Sequence, residues 1–555
     1  MGKASAAGAR EGASAGRQVV WIVLILGVAS CVAWAFWGFS YDDAYITYRY
    51  SLHLAEGDGL VYNPDERVLG TTAPGYAFVL GILSKLFGTP VAWGTILGLG
   101  GLVAAALSPW LLKPPQRPPV GWIVLWGVSL LVARWHVELL GAETLPVLGA
   151  ACLASALSLG RGRMLSGGLL AGLAASFRFD AVLICGGLGL ALWIRGRRFP
   201  WKYLMGTLPA GLTVLAVTAY YGSPLPQTLE GKQGEFADRS TASYGAAEWS
   251  WLVRDFGRVG AVALLLAALV GLVVLVRSGV WRHPLVATAV GWVVAVEIFY
   301  RSIRVPFSPW YHVMTVTLLL AWAAWGCMSV ANALARRTPT RSAVTVVLMA
   351  PILWTSVTFL VAGFGEPPDP RWRIYRQVGE FLSQETEPGT VAMVEIGVAG
   401  YFAPRHTVLD LVGLVSPVAA RHGAAEALRR VGPSYVVDPS LFHGRFPILQ
   451  QLGPPEWRLL RTFEDPASGR GSVRVWESTG GPPSQSTALP ARISASSTLT
   501  GDSPSTGKCV VSSGQVQIAS LAVEATSRAF AEWHRGLDDW CGRSIRRREF
   551  VLVEP

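Results

Sequence analysis

After a polar segment, residues 1–18, the chain runs apolar without a break from Val19 to Phe39. About 20 apolar residues cross the hydrocarbon core of a bilayer, so this run predicts a membrane span. The pattern of an apolar run closed by a short polar turn recurs through residues 19–364 and predicts about eleven spans. They cover 19–39, 91–112, 119–133, 144–160, 164–177, 181–194, 203–222, 259–276, 284–300, 311–334 and 343–363. The stretch 164–194 also fits one long helix. Basic clusters at both of its ends favour two short helices meeting at Arg178-Phe179-Asp180. The turns with Lys113 and Arg117, Arg161 and Arg163, Arg195 to Lys202, Arg277 and Arg282, and Arg336 to Arg341 are basic. The positive-inside rule puts these turns and the N-terminus in the cytoplasm. An odd number of crossings then places the chain beyond residue 364 outside, in a multi-pass protein of the cell (plasma or inner) membrane.

Composition agrees with that pattern. Of the 555 residues 51% are hydrophobic and 15% charged, against about a quarter charged in soluble domains. The net charge of +11 is explained by the basic cytoplasmic turns, so nucleic acid is not an expected partner. Lys3, Arg10 and Arg17 before the first run read as an uncleaved signal-anchor. Val28-Ala29-Ser30-Cys31 matches a lipoprotein box only by chance, since cleavage there would remove most of the first helix. Cys31, Cys152, Cys185 and Cys327 sit in apolar segments and read as small hydrophobes. Cys509 and Cys541 lie in the polar tail, where a disulfide requires an extracytoplasmic location. Before residue 343 every acidic residue except Glu11 falls on or near the outer side. Acids contribute little to insertion, so an outward-facing site is the better reason for that bias.

The first outer loop, residues 40–90, opens with the adjacent carboxylates Asp42 and Asp43. Ionisable residues at a membrane face are costly and point to function. Neighbouring carboxylates split their pKa values, leaving one as a base while the other binds a cation or stays protonated. A plainer reading has Asp42 capping the following helix and Asp43 in solvent. Ala44 to Ala55 has helical spacing, ended by Gly57-Asp58-Gly59. Asn63 to Glu66 reads as a turn, and Thr72 to Phe87 as a helix lying in the interface. The next outer loop brings His136, Glu138 and Glu143. Arg178 and Asp180 follow, then Lys232 after Tyr220 to Thr228, then Arg301, Arg304, Tyr311 and His312. Acids, cations and aromatics thus converge on one membrane face.

Residues 365–478 change character and predict a small α/β domain. Its helices fall at Arg373 to Gln384 and Ala424 to Arg430. Its strands fall at Thr390 to Ile396, Thr407 to Leu411, Ser434 to Val437, Trp457 to Phe463 and Ser472 to Glu477. Residues 479–508 are rich in Ser, Thr, Pro and Gly and predict disorder. The tail, 509–555, carries a helical pattern from Gln515 to Trp540 and a basic run from Arg543 to Arg548.

The stretches Asp42 to Tyr50, Leu54 to Pro64 and Glu66-Arg67-Val68 resemble the first-loop signature of bacterial GT-C glycosyltransferases. The similar branch holds the actinobacterial arabinofuranosyltransferases and the dolichyl-phosphate-mannose-type transferases. Gly141 to Thr144, Arg178 to Asp180, Tyr221 to Thr228, and Glu395-Ile396-Gly397 with Leu409 to Pro417 are also similar to that branch. Val68 to Thr72 and Ala142 depart from it and leave the sugar open. The resemblance implies a GT-C-type transmembrane domain over 19–364. It implies a polyprenyl-phosphate sugar donor and inverting transfer, outside the cytoplasm, to a glycan, lipid or protein acceptor. On this reading Asp42 is the base and Asp43 its partner in binding acceptor or metal. Glu138 and Glu143 position sugar hydroxyls with Asp180 and His312 nearby, and Arg178, Lys232, Arg301 and Arg304 are candidates for the lipid phosphate. Some enzymes of the class use a divalent cation; Asp42 and Asp43 are the ligands it would take, and no complete ligand set is visible. The rival is a transporter or flippase of a lipid-linked saccharide, which calls for midplane polar groups and internal repeats.

Overall fold

The computed structural model describes residues 2–113, 117–229, 244–280, 283–302, 307–335, 337–364, 369–464 and 471–480. Lys232, Arg304, Cys509, Cys541 and the expectations for 481–555 lie outside these residues.

Helices fill the membrane part. Seven are long and apolar enough to cross a bilayer, by length and composition: 18–35, 90–111, 179–196, 245–277, 285–302, 313–334 and 338–363. Shorter apolar helices cover 74–87, 120–132, 144–160, 164–177 and 208–221. The apolar run at 164–194 is broken, with helices Met164–Phe177 and Val182–Gly196 on either side of a tight turn at Phe179–Ala181. Helix Tyr244–Arg277 kinks at Gly257, where φ is 69°.

Three helices lead into the site: α1 (Gly2–Ala35), α2 (Asp42–Glu56) and α3 (Pro74–Phe87). The helix expected at Ala44 to Ala55 therefore begins two residues earlier. It ends at Gly57, whose φ of 105° is left-handed and whose amide bonds the carbonyl of His53. Glycine takes that conformation without the Cβ penalty.

The soluble part holds a five-stranded sheet: β1 (Thr390–Met393), β2 (Thr407–Asp410), β3 (Tyr435–Pro439), β4 (Trp457–Glu464) and β5 (Ser472–Ser478). Its order is β2-β1-β3-β5-β4. β1, β2 and β3 run parallel, and β5 and β4 are antiparallel neighbours. Helix Pro370–Glu385 starts with Pro at its first position and Asp369 as a cap, the Asp369 carboxylate accepting from the Arg371 amide at 2.9 Å. β3 is wholly buried, whereas β4 at the edge is mostly exposed.

Candidate active site

Helix α2 carries two polar faces. Asp43, Ile46 and Thr47, spaced three and four residues apart, line a cleft. Tyr41, Gly70, Thr71, Thr72, Glu143, Thr228, Trp310 and Leu414 complete its lining. Asp42, Tyr45 and Arg49, on the same spacing, face the soluble domain instead. Helical periodicity puts residues i, i+3 and i+7 on one face, so one motif serves two partners.

The second face is a dock. The Asp42 carboxylate accepts the amides of Gly397 at 3.0 Å and Val398 at 2.7 Å. Trp372 donates its indole N–H to the Tyr45 hydroxyl at 2.9 Å. Arg49 is fully buried and donates to four carbonyls: Tyr62 at 2.9 Å, Ala403 at 3.2 Å, His406 at 2.7 Å and Gly400. The Asn63 side chain pairs with β2 like a short strand, donating to the Val408 carbonyl and accepting its amide, both at 2.9 Å. Tyr62 donates to the Ile396 carbonyl at 2.6 Å.

These bonds bear on the sequence expectations. Asp42, the expected base, has both oxygens committed to amides. Tyr41 holds the N-cap position of its helix without a side-chain bond, and the Asp42 side chain accepts amides of the soluble domain instead. Asp42 faces the Gly397 and Val398 amides, while Asp43 lines the cleft. Burial pushes the Asp42 carboxyl up, to about 6; the Val398 amide opposes the shift and the Asp43 charge adds to it. Asp43 is the acid of the pair that lines the cleft.

Three segments close the cleft's mouth. Gln227 donates its amide N–H to the Leu69 carbonyl at 2.8 Å and its side chain to the Gly413 carbonyl at 3.0 Å. Thr228 donates to the Gly70 carbonyl. Leu414 comes from the loop after β2. That loop is held by Asp410, whose carboxylate accepts the amides of Val412 and Val415 at 2.9 Å. The soluble domain is therefore part of the wall.

Glu143 joins this cleft to the next. Arg178 donates to Glu143 at 2.7 Å, to both oxygens of Asp180 at 2.9 Å and to the Tyr300 hydroxyl at 3.0 Å. Burial raises the Glu143 carboxyl and Arg178 opposes it. Arg178 and Asp180 line the second cleft with Trp292, Trp310, Tyr311 and Met314. Trp310 borders both clefts and stacks on Tyr41 at 4.8 Å. Trp292 and Met314 also border an apolar cavity of about 950 Å³ that extends through Ile184 and Gly187 to Arg117 and His283. Ligand cavities run to about 1,000 Å³. The three spaces share walls in series. Arg178→Lys removes the planar fork that grips Asp180. It is expected to lower the unfolding free energy by about 3 kcal/mol, read as a fall in melting temperature; an unchanged melt would count against the cluster.

Other expected site residues sit elsewhere. Glu138 binds Arg134 at 2.8 Å and Arg254, away from the cleft lining. Arg254 also holds Asp255 at 2.6 Å, and neither was expected from sequence because both precede the apolar run. Their signal was the acid–base pair just before Phe256-Gly257. His312 bonds Glu297 at 2.7 Å, and Arg301 bridges Glu297 and Glu248. The ligand atoms of Glu248, Glu297 and His312 lie within 4.8 Å of one another. Arg301 already supplies a cation to both acids there.

Residues 369–480 match the model of a domain of unknown function, DUF8728. No curated protein matches the chain. Two solved structures are similar to it. One is ArnT from Cupriavidus metallidurans in the apo state, at 14% identity and a TM-score of 0.48, covering 84% of this chain and 98% of that one. The other is the same protein bound to undecaprenyl phosphate, at 14% identity and a TM-score of 0.50, covering 83% of this chain and 99% of that one. The second likeness shows the fold: a multi-pass bundle of apolar helices with a small α/β domain.

Proposed function

We propose that this chain is an inverting glycosyltransferase that moves a sugar from a polyprenyl-phosphate donor to a hydroxyl-bearing acceptor at the outer face of the membrane. The observation that supports this most is the set of neighbouring spaces: a cleft with Asp43 and Glu143, a small cleft beside Arg178 and Trp310, and an apolar cavity of about 950 Å³. A polar centre adjoining an apolar chamber suits a substrate with a sugar head and an isoprenoid tail. The fold shared with ArnT, which was solved with undecaprenyl phosphate, supports the same donor. The soluble domain lies outside the cytoplasm and the N-terminus inside, as the basic turns require.

In this reading Asp43 takes the proton from the acceptor hydroxyl as its oxygen attacks the anomeric carbon. The bond from that carbon to the phosphate oxygen breaks, and its electron pair leaves with the polyprenyl phosphate. Glu143, held by Arg178, and the hydroxyls of Thr47, Thr71, Thr72 and Thr228 position the sugars. Arg178 is spent on Glu143, Asp180 and Tyr300. The phosphate charge falls to Lys232 and Arg304, which the sequence places four residues after Thr228 and six before Trp310.

The test uses the full chain in lipid nanodiscs with radiolabelled polyprenyl-phosphate sugars and envelope glycans. Label appearing on an acceptor supports transfer. Label crossing the bilayer without transfer would replace this reading with the flippase. The cavity makes its own prediction. A side chain at Gly187 meets open space, so Gly187→Phe projects into the chamber. The donor KM is expected to rise about tenfold for a long-chain donor, as the exclusion of about two carbons of the tail would cause, and to stay unchanged for a two-isoprene donor. Equal effects on both donors would remove the tail from this cavity.

A further inference from the structure

Water competes with any acceptor for Asp43. The cleft that Asp43 lines has a volume of about 30 Å³, room for about one or two waters. Small-molecule pockets start at about 300 Å³, so a sugar enters only where a wall gives way. A base that takes the proton of an acceptor hydroxyl can take a proton from water. With a donor in place, attack by water would waste it. The water oxygen bonds to the anomeric carbon and one water proton passes to Asp43. The bond from that carbon to the phosphate oxygen breaks, and its electron pair leaves with the polyprenyl phosphate. Free sugar is the other product. A transferase therefore needs a group beside its base that keeps water out.

The loop after β2 brings such a group. Leu414 is 8% exposed and, with Ile46, is one of two aliphatic side chains in the cleft lining. Its loop is fixed from within: the Asp410 carboxylate accepts the amides of Val412 and Val415, and the Ser416 hydroxyl accepts the Asp410 amide at 2.9 Å. It is fixed from without by Gln227, which donates to the carbonyls of Leu69 and Gly413. Gly70 lets it rest on the backbone of the first loop. A Cβ on Gly70 would run into the Val415 side chain and lie 2.9 Å from the Leu414 carbonyl oxygen. A leucine side chain thus walls the cleft on the side of the soluble domain. We propose that Leu414 is a specificity-determining residue for the transfer: it selects an acceptor hydroxyl over water at Asp43. Its isobutyl group offers water no hydrogen bond and seals the space beside the base. A sugar acceptor displaces it with contacts that a single water cannot make, so binding energy from the right substrate opens the site. The inference rests on the glycosyltransferase reading of the cleft, and it gives the soluble domain a part in choosing the acceptor.

The test uses the full chain in lipid nanodiscs with radiolabelled polyprenyl-phosphate sugars, with and without envelope glycans, and reads free sugar against transferred sugar. Leu414→Ala is expected to raise the ratio of hydrolysis to transfer about tenfold or more, the scale of a missing methylene in an apolar contact. Leu414→Val keeps more of the wall; its rise should be smaller, and it serves alone where the alanine variant does not fold. Both products come from one sample, so partial unfolding lowers them together and leaves the ratio unmoved. Adding Asp43→Asn to Leu414→Ala should remove the hydrolysis. An unchanged ratio in both Leu414 variants would overturn the proposal, as would hydrolysis that persists without Asp43. If no glycan takes label from wild type, hydrolysis without acceptor still decides. Free sugar from Leu414→Ala and none from wild type supports the seal, and equal release from both overturns it. No reaction of any donor in any variant would take down the glycosyltransferase reading, and the seal with it.

Discussion

Asp43→Asn is expected to lower kcat for sugar transfer about 10³-fold, the scale of a lost general base, with the melting temperature unchanged. The cleft around it has little else to take a proton. Glu143 is tied to Arg178 at 2.7 Å, and the remaining lining groups are hydroxyl, aromatic or aliphatic. Asn keeps the shape of Asp and removes its charge and its basicity. Asp42→Asn should behave differently. Its carboxylate accepts two amides, and an amide side chain accepts one of them while turning its own N–H₂ toward the other. Hydrogen bonds to charged groups contribute about 1.5–3 kcal/mol, so Asp42→Asn should melt earlier and lose activity in proportion to misplacement. Measuring kcat and melting for both variants separates the roles. A full loss of kcat in Asp42→Asn with an unchanged melt would return the base to Asp42.

Arg49→Leu is expected to undock the soluble domain. Leucine fills much of the volume and satisfies none of the four carbonyls that now accept from the guanidinium. Breaking a buried charged network by removing one partner costs about 3–5 kcal/mol. That is a large share of a stability of about 5–15 kcal/mol. The measurement is the melting temperature with limited proteolysis, where a fragment without the soluble domain should accumulate. A variant that melts and resists protease like wild type would show that the dock is held elsewhere.

The sequence shows some of this plainly. Apolar runs mark the spans because hydrocarbon tolerates little else, and the five strands declare themselves through β-branched, buried residues such as Val436 and Val437 on β3. Ser40 to Pro90 is legible as an ordered loop. The division of labour on α2 is not. Asp42 and Asp43 look equivalent because both faces of the helix are polar, and only tertiary packing tells the dock from the cleft. The same limit hides the partners of Asp42. Gly397 and Val398 lie hundreds of positions later, and no local periodicity records such a contact. Leu414 reaches the cleft only because the loop after β2 is folded by Asp410. Arg178 and Asp180, two apart in sequence, were readable as a pair; Tyr300 and Glu143, which complete the cluster, were not.

The bond from Tyr62 to Ile396 closes over 334 residues. Ribosomes add about 5–20 residues per second, so roughly 15–70 s separate the synthesis of these two partners. Through that interval Arg49 has been made without three of its carbonyls and Asn63 without its strand. The first loop must wait, unfinished, until the last helix is made and the domain beyond it emerges. Maturation of this protein is thus gated by its own C-terminal third, and a chain truncated before residue 396 would present the waiting loop to proteases as an unmistakable mark of incompleteness.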